Sequence, residues 1–285
     1  MGCADELESA TLAALLALVR QHTGIAMTER KSVLLQGRLQ PRVRELGLGG
    51  YGDYLALLQR GGTEVERFIN MVTTNDTLFF RTPAVWDWFA TTFLPAWRRE
   101  HGGQCLRLWS AAAATGEEAY SMAMLCQQFQ QAHPEFRYKI LGTDISTDAL
   151  ATAGAGQYGG RSVERLRASH PAMVARYFVA PAKAGDAEGS GAIAVVPELK
   201  QHVQFAPHNL FDGFRPAQQF DLVFLRNVLI YFDEDNQRRV LGKVRAAMAP
   251  HARLVLGEQE SITRLATPLR FEQTHVYLRG EDHVG

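Results

Sequence analysis

Apolar positions over roughly the first seventy residues recur with the period of a helix. Leu12, Leu15, Leu16 and Val19 fall on one face, and Leu35, Leu39, Val43 and Leu46 on another. Gly47-Leu48-Gly49-Gly50 and Gly61-Gly62 cut the pattern into short helices. Pro41 sits inside the second pattern and is expected to kink or divide that helix. These features predict a small helical bundle. From about residue 78 the pattern changes to strands alternating with helices. Strand-like runs are Leu106–Trp109, Tyr138–Thr143, His202–Phe205, Phe220–Leu225, Arg253–Gly257 and His275–Leu278, with helical runs between several of them, notably Glu117–Gln131 and Asn236–Met248. Such alternation predicts a parallel sheet covered on both faces, with ligand at the carboxyl ends of its strands. No helical run follows the last strand, and Phe271–Leu278 is placed to close the sheet antiparallel.

One region breaks the rhythm. Between Asp144 and His202 lie 57 residues, too many for a single crossover helix. They contain a small, polar tip, Ala180 to Ala192, flanked by the β-leaning pieces Arg176–Val179 and Ala192–Val196. A hairpin-bearing insertion is expected there, a usual place for partner recognition.

Composition narrows the class of protein. The chain has 285 residues, 46% of them hydrophobic and 21% charged, as in a globular protein. Thirty basic residues balance thirty acidic ones, so no global field favours nucleic acid or an anionic membrane. Apolar stretches such as Leu12–Val19 are too short to span a bilayer and do not read as an export signal. Cys3, Cys105 and Cys126 form no CxxC pair and suit reduced thiols, so a cytoplasmic location is expected. The nine histidines are scattered without HxxxH or HExxH spacing, and no metal is expected.

Candidate chemistry concentrates in residues 104–120. The apolar run Cys105 to Trp109 passes through a turn of tiny residues, Ser110 to Ala114, and opens a helix at Thr115-Gly116. Small residues let a ligand approach the backbone, and free N–H groups at a helix start face it. The same turn also occurs for packing alone. Asp144 ends the next strand-like run, at about the distance where nucleotide-binding α/β folds place an acid on ribose hydroxyls.

Three further motifs carry a resemblance. They are Thr73-Thr74-Asn75-Asp76-Thr77-Leu78-Phe79-Phe80-Arg81, then Phe220 to Asp233 with Arg226-Asn227-Val228-Leu229-Ile230-Tyr231-Phe232 at its centre, and Gly257-Glu258-Gln259-Glu260-Ser261. Together with Trp109–Tyr120 and Gly142–Leu150, these resemble the CheR-type chemoreceptor glutamate methyltransferases, in order, from roughly Leu12 to Leu278. The resemblance implies an α/β fold. Its main part is a class I, Rossmann-like domain that uses S-adenosylmethionine (AdoMet), spanning residues 78–285, with a small β-subdomain inserted at about 157–200. An N-terminal helical, receptor-docking domain at 1–77 precedes it. It further implies methyl transfer to glutamate side chains of chemoreceptor cytoplasmic domains, leaving S-adenosylhomocysteine, in sensory adaptation. Cofactor contacts carried over by motif are Asn75, Thr77, Arg81, Asp144, Asn209, Leu210, Arg226 and Asn227, with Glu117 favoured over Glu118. Arg81, Asn227 and Tyr231 are the expected catalytic residues. Departures from the family pattern are the alanines at 111–114, Ala119 in place of proline, Ser146 where a second aspartate is common, and Gln259 in place of serine. They bear on cofactor affinity more than on fold.

The chemistry agrees with the residue inventory. A glutamate carboxylate with a pKa near 4.3 is already ionised at neutral pH, so alignment and exclusion of water matter more than a general base. Because the acceptor helices are acidic, a basic docking face is expected. Lys31, Arg38 and Arg42 recur at helical spacing, in a stretch with five basic residues and one acidic. The inserted β-subdomain is a second candidate contact, for a receptor C-terminal peptide added as a strand. A monomer suffices. Two other readings stay open at this point: a CheR-like module that binds AdoMet or S-adenosylhomocysteine without turnover, and a methyltransferase for small molecules or RNA.

Overall fold

The computed structural model describes residues 7–181 and 191–280, and its first four helices share a core of their own. These are α1 (Ser9–Thr23), α2 (Ser32–Glu45), α3 (Tyr51–Gln59) and α4 (Thr63–Val72). Leu15, Val19, Leu35, Leu39, Tyr54 and Phe68 are fully shielded at its centre. Helix α2 runs through Pro41 undivided. Pro41 is on the exposed side of the helix, as is Gly37 one turn earlier, so the carbonyl that loses its N–H partner faces water while Leu35, Leu39 and Val43 hold the buried side.

Charge is buried in this bundle at one place. Arg42 donates from Nε and Nη2 to the two carboxylate oxygens of Glu64 (3.0 and 2.6 Å), and the Tyr54 hydroxyl donates to the same carboxylate at 3.0 Å. The Arg42 guanidinium holds the Glu64 carboxyl below the usual range, while burial pushes the Tyr54 hydroxyl up. Arg42 also pairs with Glu45 at 2.9 Å. It therefore braces α2 against α4 through partners within the bundle, whereas the sequence suggests a docking face.

The rest of the chain follows the strand–helix alternation. Helix α5 (Pro83–Trp88) continues through a π-helical turn at Phe89–Phe93 into α6 (Leu94–His101). There follow β1 (Cys105–Ser110), α7 (Glu117–Ala132), β2 (Arg137–Asp144) and α8 (Thr147–Ala155). The inserted region holds β3 (Gln157–Tyr158), α9 (Gly160–Ser169), α10 (Pro171–Tyr177), β4 (Phe178–Val179), β5 (Ile193–Val195) and α11 (Pro197–Lys200). The chain then forms β6 (Val203–Pro207), β7 (Phe220–Leu225), a 3-10 turn at Leu229–Tyr231, α12 (Glu234–Ala246), β8 (Met248–Leu256), β9 (Arg270–Gln273) and β10 (Val276–Leu278).

The main sheet has seven strands in the order β6-β2-β1-β7-β8-β10-β9. Its first five strands are parallel, and β10 and β9 close it antiparallel. Every residue of β7 is buried, as expected for a central strand with helices on both faces. The insertion forms a separate three-stranded antiparallel sheet, β3-β5-β4. Two boundaries differ from expectation. Met248 begins β8 rather than ending a helix, and Arg176 and Tyr177 end α10 rather than joining a strand. Most of the polar tip predicted at Ala180–Ala192 lies outside the described residues. No helix among the described residues is long and apolar enough to cross a membrane.

From β1 the chain builds outward on one side through β2 and β6, then crosses to the other side of β1 to form β7. Strand order reverses between β1 and β7, where Ser110 stands opposite Phe224 and the Ala111 N–H donates to the Phe224 carbonyl at 2.8 Å. A crevice must open just beyond this point, because the crossovers leave on opposite faces. The helical bundle roofs it and is tied down at two edges. On one, Asn70 donates to Thr147 (3.0 Å), Thr147 to Glu66 (2.6 Å) and Arg161 pairs with Asp76. On the other, the Ala26 N–H donates to the Tyr231 carbonyl at 2.8 Å and Arg20 pairs with Asp233.

The Glu64 carboxyl supports a pH-resolved test of the bundle. Its lowered pKa contributes stability that is fully present above the ordinary value of 4.5 and is lost as pH falls through the folded-state value. Glu64→Gln is therefore expected to lower the melting temperature at neutral pH, with a deficit that shrinks below pH 4.5. A deficit that stays constant on acidification would contradict the pairing.

Candidate active site

The cleft at the switch point encloses about 1140 Å³ of empty space, part of it open to solvent. The loop after β1 and the ends of β2, β6 and β7 line its floor, and the segments after α1 and α4 line its roof. Asn75, Thr77, Arg81, Asp144, Asn209, Leu210, Arg226, Asn227 and Tyr231 all border it. Residues 187 positions apart in sequence meet at this rim, where Asn209 donates from its amide to the His22 carbonyl at 2.8 Å.

Asp144 is held by the backbone. Its Oδ2 accepts the Ala114 N–H at 2.8 Å and its Oδ1 the Ser146 N–H at 2.9 Å. Burial raises its pKa, and these N–H groups act against that rise. Ala114 reaches this bond at φ 46°, the only one of the four turn alanines in the left-handed region. A side chain there costs about 1–2 kcal/mol, so the turn stores strain at one alanine and none at the other three. Ser146, another departure from the family pattern, caps α8 by accepting the Ala149 N–H and also accepts from Asn75 at 3.3 Å. Gln259, a further one, is exposed and does not border the cleft.

Of the two adjacent glutamates, Glu118 borders the cleft and Glu117 does not. Neighbouring helical residues point about 100° apart, so both cannot face one ligand. Glu117 turns toward the insertion and accepts from Thr115 (2.6 Å) and Ser162 (3.2 Å). Glu118, rather than the expected Glu117, is the glutamate that borders the cleft. Glu118 accepts from Ser110 at 2.7 Å and from Arg226 Nη1 at 3.1 Å. Burial raises its pKa, and Arg226 and Ser110 pull it down again.

Arg226 is 5% exposed, and its second terminal nitrogen donates to the Arg81 carbonyl (3.0 Å) and the Thr82 hydroxyl (2.7 Å). It fixes the turn that carries Arg81, a residue that borders the cleft and donates from Nη1 to the Asp76 carbonyl at 3.3 Å. Thr82 holds φ 68° in that turn, a strained conformation for a β-branched residue. Asn209 commits both side-chain atoms to structure, its amide to His22 and its oxygen to the Phe211 N–H at 3.0 Å, so Leu210 is the freer neighbour of a ligand.

Two further residues at or behind the cleft were given no role by the sequence. His208 lies against Trp109 and Phe214 (ring centroids 6.1 and 4.8 Å apart), giving an aromatic wall, and burial lowers its pKa. Glu260 accepts backbone N–H groups from the segment that carries Asn227. Its motif was visible in the sequence, but its role depends on a fold-back after β8.

Residues 10–73 match the family model described as "CheR methyltransferase, all-alpha domain", and residues 75–278 match "CheR methyltransferase, SAM binding domain". The chain belongs to the CheR methyltransferase family. It is 35% identical over 257 residues to Chemotaxis protein methyltransferase 2 of Pseudomonas aeruginosa, covering 90% of this chain and 88% of the relative. It is 34% identical over 268 residues to the Chemotaxis protein methyltransferase of Escherichia coli, covering 93% and 89%. Chemotaxis protein methyltransferase 1 of P. aeruginosa is 33% identical over 247 residues, covering 85% and 86%.

The residues bordering the cleft of this CheR-family chain could hold AdoMet, with Asp144 at its ribose hydroxyls, Leu210 and His208 at its base, and Arg81 and Glu118 at its amino-acid end. The basic docking face is less continuous than the sequence suggests. Arg38 donates to the Val72 and Thr73 carbonyls (2.5 and 3.1 Å) and to the Thr74 hydroxyl at 2.9 Å. It fastens the roof loop to α2, as Arg42 fastens α4. Lys31 is exposed at the mouth of the cleft, 5.9 Å from the centre of the Tyr231 ring. Asp144→Ala is expected to weaken S-adenosylhomocysteine binding by about ten- to a hundredfold, because hydrogen bonds to a charged group contribute about 1.5–3 kcal/mol. An unchanged dissociation constant by calorimetry would remove Asp144 from the site.

Proposed function

We propose that this chain transfers the methyl group of AdoMet to glutamate side chains of chemoreceptor cytoplasmic domains, giving glutamate methyl esters and S-adenosylhomocysteine. One observation carries the reading: Asp144 at the end of β2 and Arg226, Asn227 and Tyr231 beyond β7 border the same roofed cleft. A ligand anchored at Asp144 lies beside the groups that can meet an acceptor. Family membership and the names of the relatives support the substrate class.

AdoMet supplies an electrophilic methyl on a sulfonium centre. An ionised glutamate oxygen forms the new C–O bond as the C–S bond breaks, and no proton moves, which agrees with a site that offers positioning groups rather than a strong base. Asp144 orients the ribose, and Arg81 binds the amino-acid carboxylate through its planar fork. Asn227 and the Tyr231 hydroxyl direct the incoming carboxylate. The Glu118–Arg226 pair keeps the floor charged but locally neutralised, so the acceptor's negative charge does not meet a bare carboxylate.

Docking combines two surfaces. Lys31, at the mouth, attracts the acidic helix, while Arg38 and Arg42 act by holding the roof in place. The β3-β5-β4 sheet has β4 at one edge, with Val179 51% exposed, and a receptor tail adds there as a further strand. The enzyme acts as a cytoplasmic monomer.

The direct test is transfer of labelled methyl from AdoMet to purified receptor cytoplasmic fragments, with and without their C-terminal tails, scored as base-labile ester. Label lost when acceptor glutamates become alanine is the expected result. Absence of label from protein that binds S-adenosylhomocysteine would overturn the enzyme reading in favour of a binding module. Within that assay, Tyr231→Phe is expected to lower turnover with cofactor affinity nearly unchanged; equal turnover would reject the orienting role.

A further inference from the structure

Beyond Leu225 the chain leaves β7, and its next N–H groups have lost their ladder partners. A single carboxylate collects them. Glu260 Oε2 accepts the Asn227 N–H at 2.8 Å, and Oε1 accepts those of Val228 and Leu229, each at 2.8 Å. Oε2 also accepts the Gly257 N–H at 2.7 Å, which folds the turn after β8 back onto the site. We propose that Glu260 is a positioning residue for methyl transfer: with Gly257 it clamps the backbone at Asn227–Leu229 and so aims Asn227 and Tyr231 at the reacting atoms. This inference rests on the methyl-transfer reading above.

Three features support a clamp with little play. Glu260 is only 8% exposed, and charge-assisted bonds to backbone N–H groups offset the cost of burying its carboxylate. Asn227 is held at φ 58°, a conformation that presents successive N–H groups to one anion. Gly257 leaves no room for movement, since a Cβ there would lie 2.7 Å from Glu260 Oε2, 2.9 Å from Asn227 Nδ2 and 3.0 Å from Asn227 N. The carbonyl side of the segment is braced independently. Gln237 donates to the Leu229 and Phe232 carbonyls, both at 3.0 Å, and Ala26 to that of Tyr231. Loss of Glu260 should therefore loosen one side of the segment and leave it attached.

Glu260→Gln replaces an acceptor oxygen with an amide donor that faces N–H groups, and Gly257→Ala displaces the carboxylate sterically. Both variants are expected to bind S-adenosylhomocysteine at full stoichiometry with affinity within about threefold of wild type, while kcat per binding site falls by up to about a hundredfold, as for a small misplacement of reacting groups. Backbone amides of Asn227, Val228 and Leu229 are expected to lose hydrogen-exchange protection, with those of β1 and β7 unchanged. A purely structural role would instead lower the number of binding sites and leave kcat per site intact. Unchanged exchange at these three amides, or unchanged kcat per site, overturns the proposal. If Glu260→Gln does not fold, Gly257→Ala carries the same readouts. Wild-type protein that transfers no methyl would overturn the reading beneath the proposal, and the exchange result would still decide whether the clamp exists.

Discussion

Arg226 emerges from the central strand almost wholly buried, and the site is arranged around the places where its charge is met. One nitrogen reaches Glu118 in the first turn of α7 and another the Arg81–Thr82 turn. Three separate stretches of chain, after β1, before α5 and after β7, are thereby fixed relative to one another. Removing one partner would leave an uncompensated charge in a low-dielectric interior, a loss of about 3–5 kcal/mol. Because this link lies on the floor of the cleft, the same charge pair that holds the fold together also sets the electrostatic background of the ligand.

The reaction needs little else from the protein. Its nucleophile arrives ionised and its leaving group departs neutral, so geometry and the exclusion of water are the remaining requirements. Among the described residues, four of the five non-glycine residues with positive φ lie at or beside the cleft, and the fifth, His275, lies in the turn between β9 and β10. Phe80, Thr82, Ala114 and Asn227 hold positive φ at or beside the cleft, and each strained residue is over-determined by hydrogen bonds or packing around it. The roof is fixed as firmly, since Arg38 ties its loop to α2.

Most of the fold was legible because local pattern and tertiary need agree. The apolar run Leu222–Leu225 reads as a buried strand and forms the core of β7, and Asp144 stands at the end of β2, where it borders the crevice. What the sequence did not disclose depends on partners far away in the chain. Arg38 and Arg42 read as a solvated basic face because the acceptors that claim them, the Val72 carbonyl and Glu64, lie on another helix. Glu117 and Glu118 differ by one helical step, and only the orientation of α7 against β1 separates them. Glu260 sits in a recognisable motif, but nothing local predicts that its carboxylate returns to cap the end of β7. Pro41 leaves α2 undivided because its missing hydrogen bond falls on the solvent side, where the helix tolerates it.

The proposed reaction requires cofactor and acceptor groups to meet in the cleft between the helical bundle and the carboxyl ends of β1, β2 and β7. A crystal structure with S-adenosylhomocysteine tests this most directly. Ribose hydroxyls on the Asp144 carboxylate and a sulfur turned toward Asn227 and Tyr231 are the expected result. A ligand bound elsewhere, or a sulfur facing away from the end of β7, would contradict it.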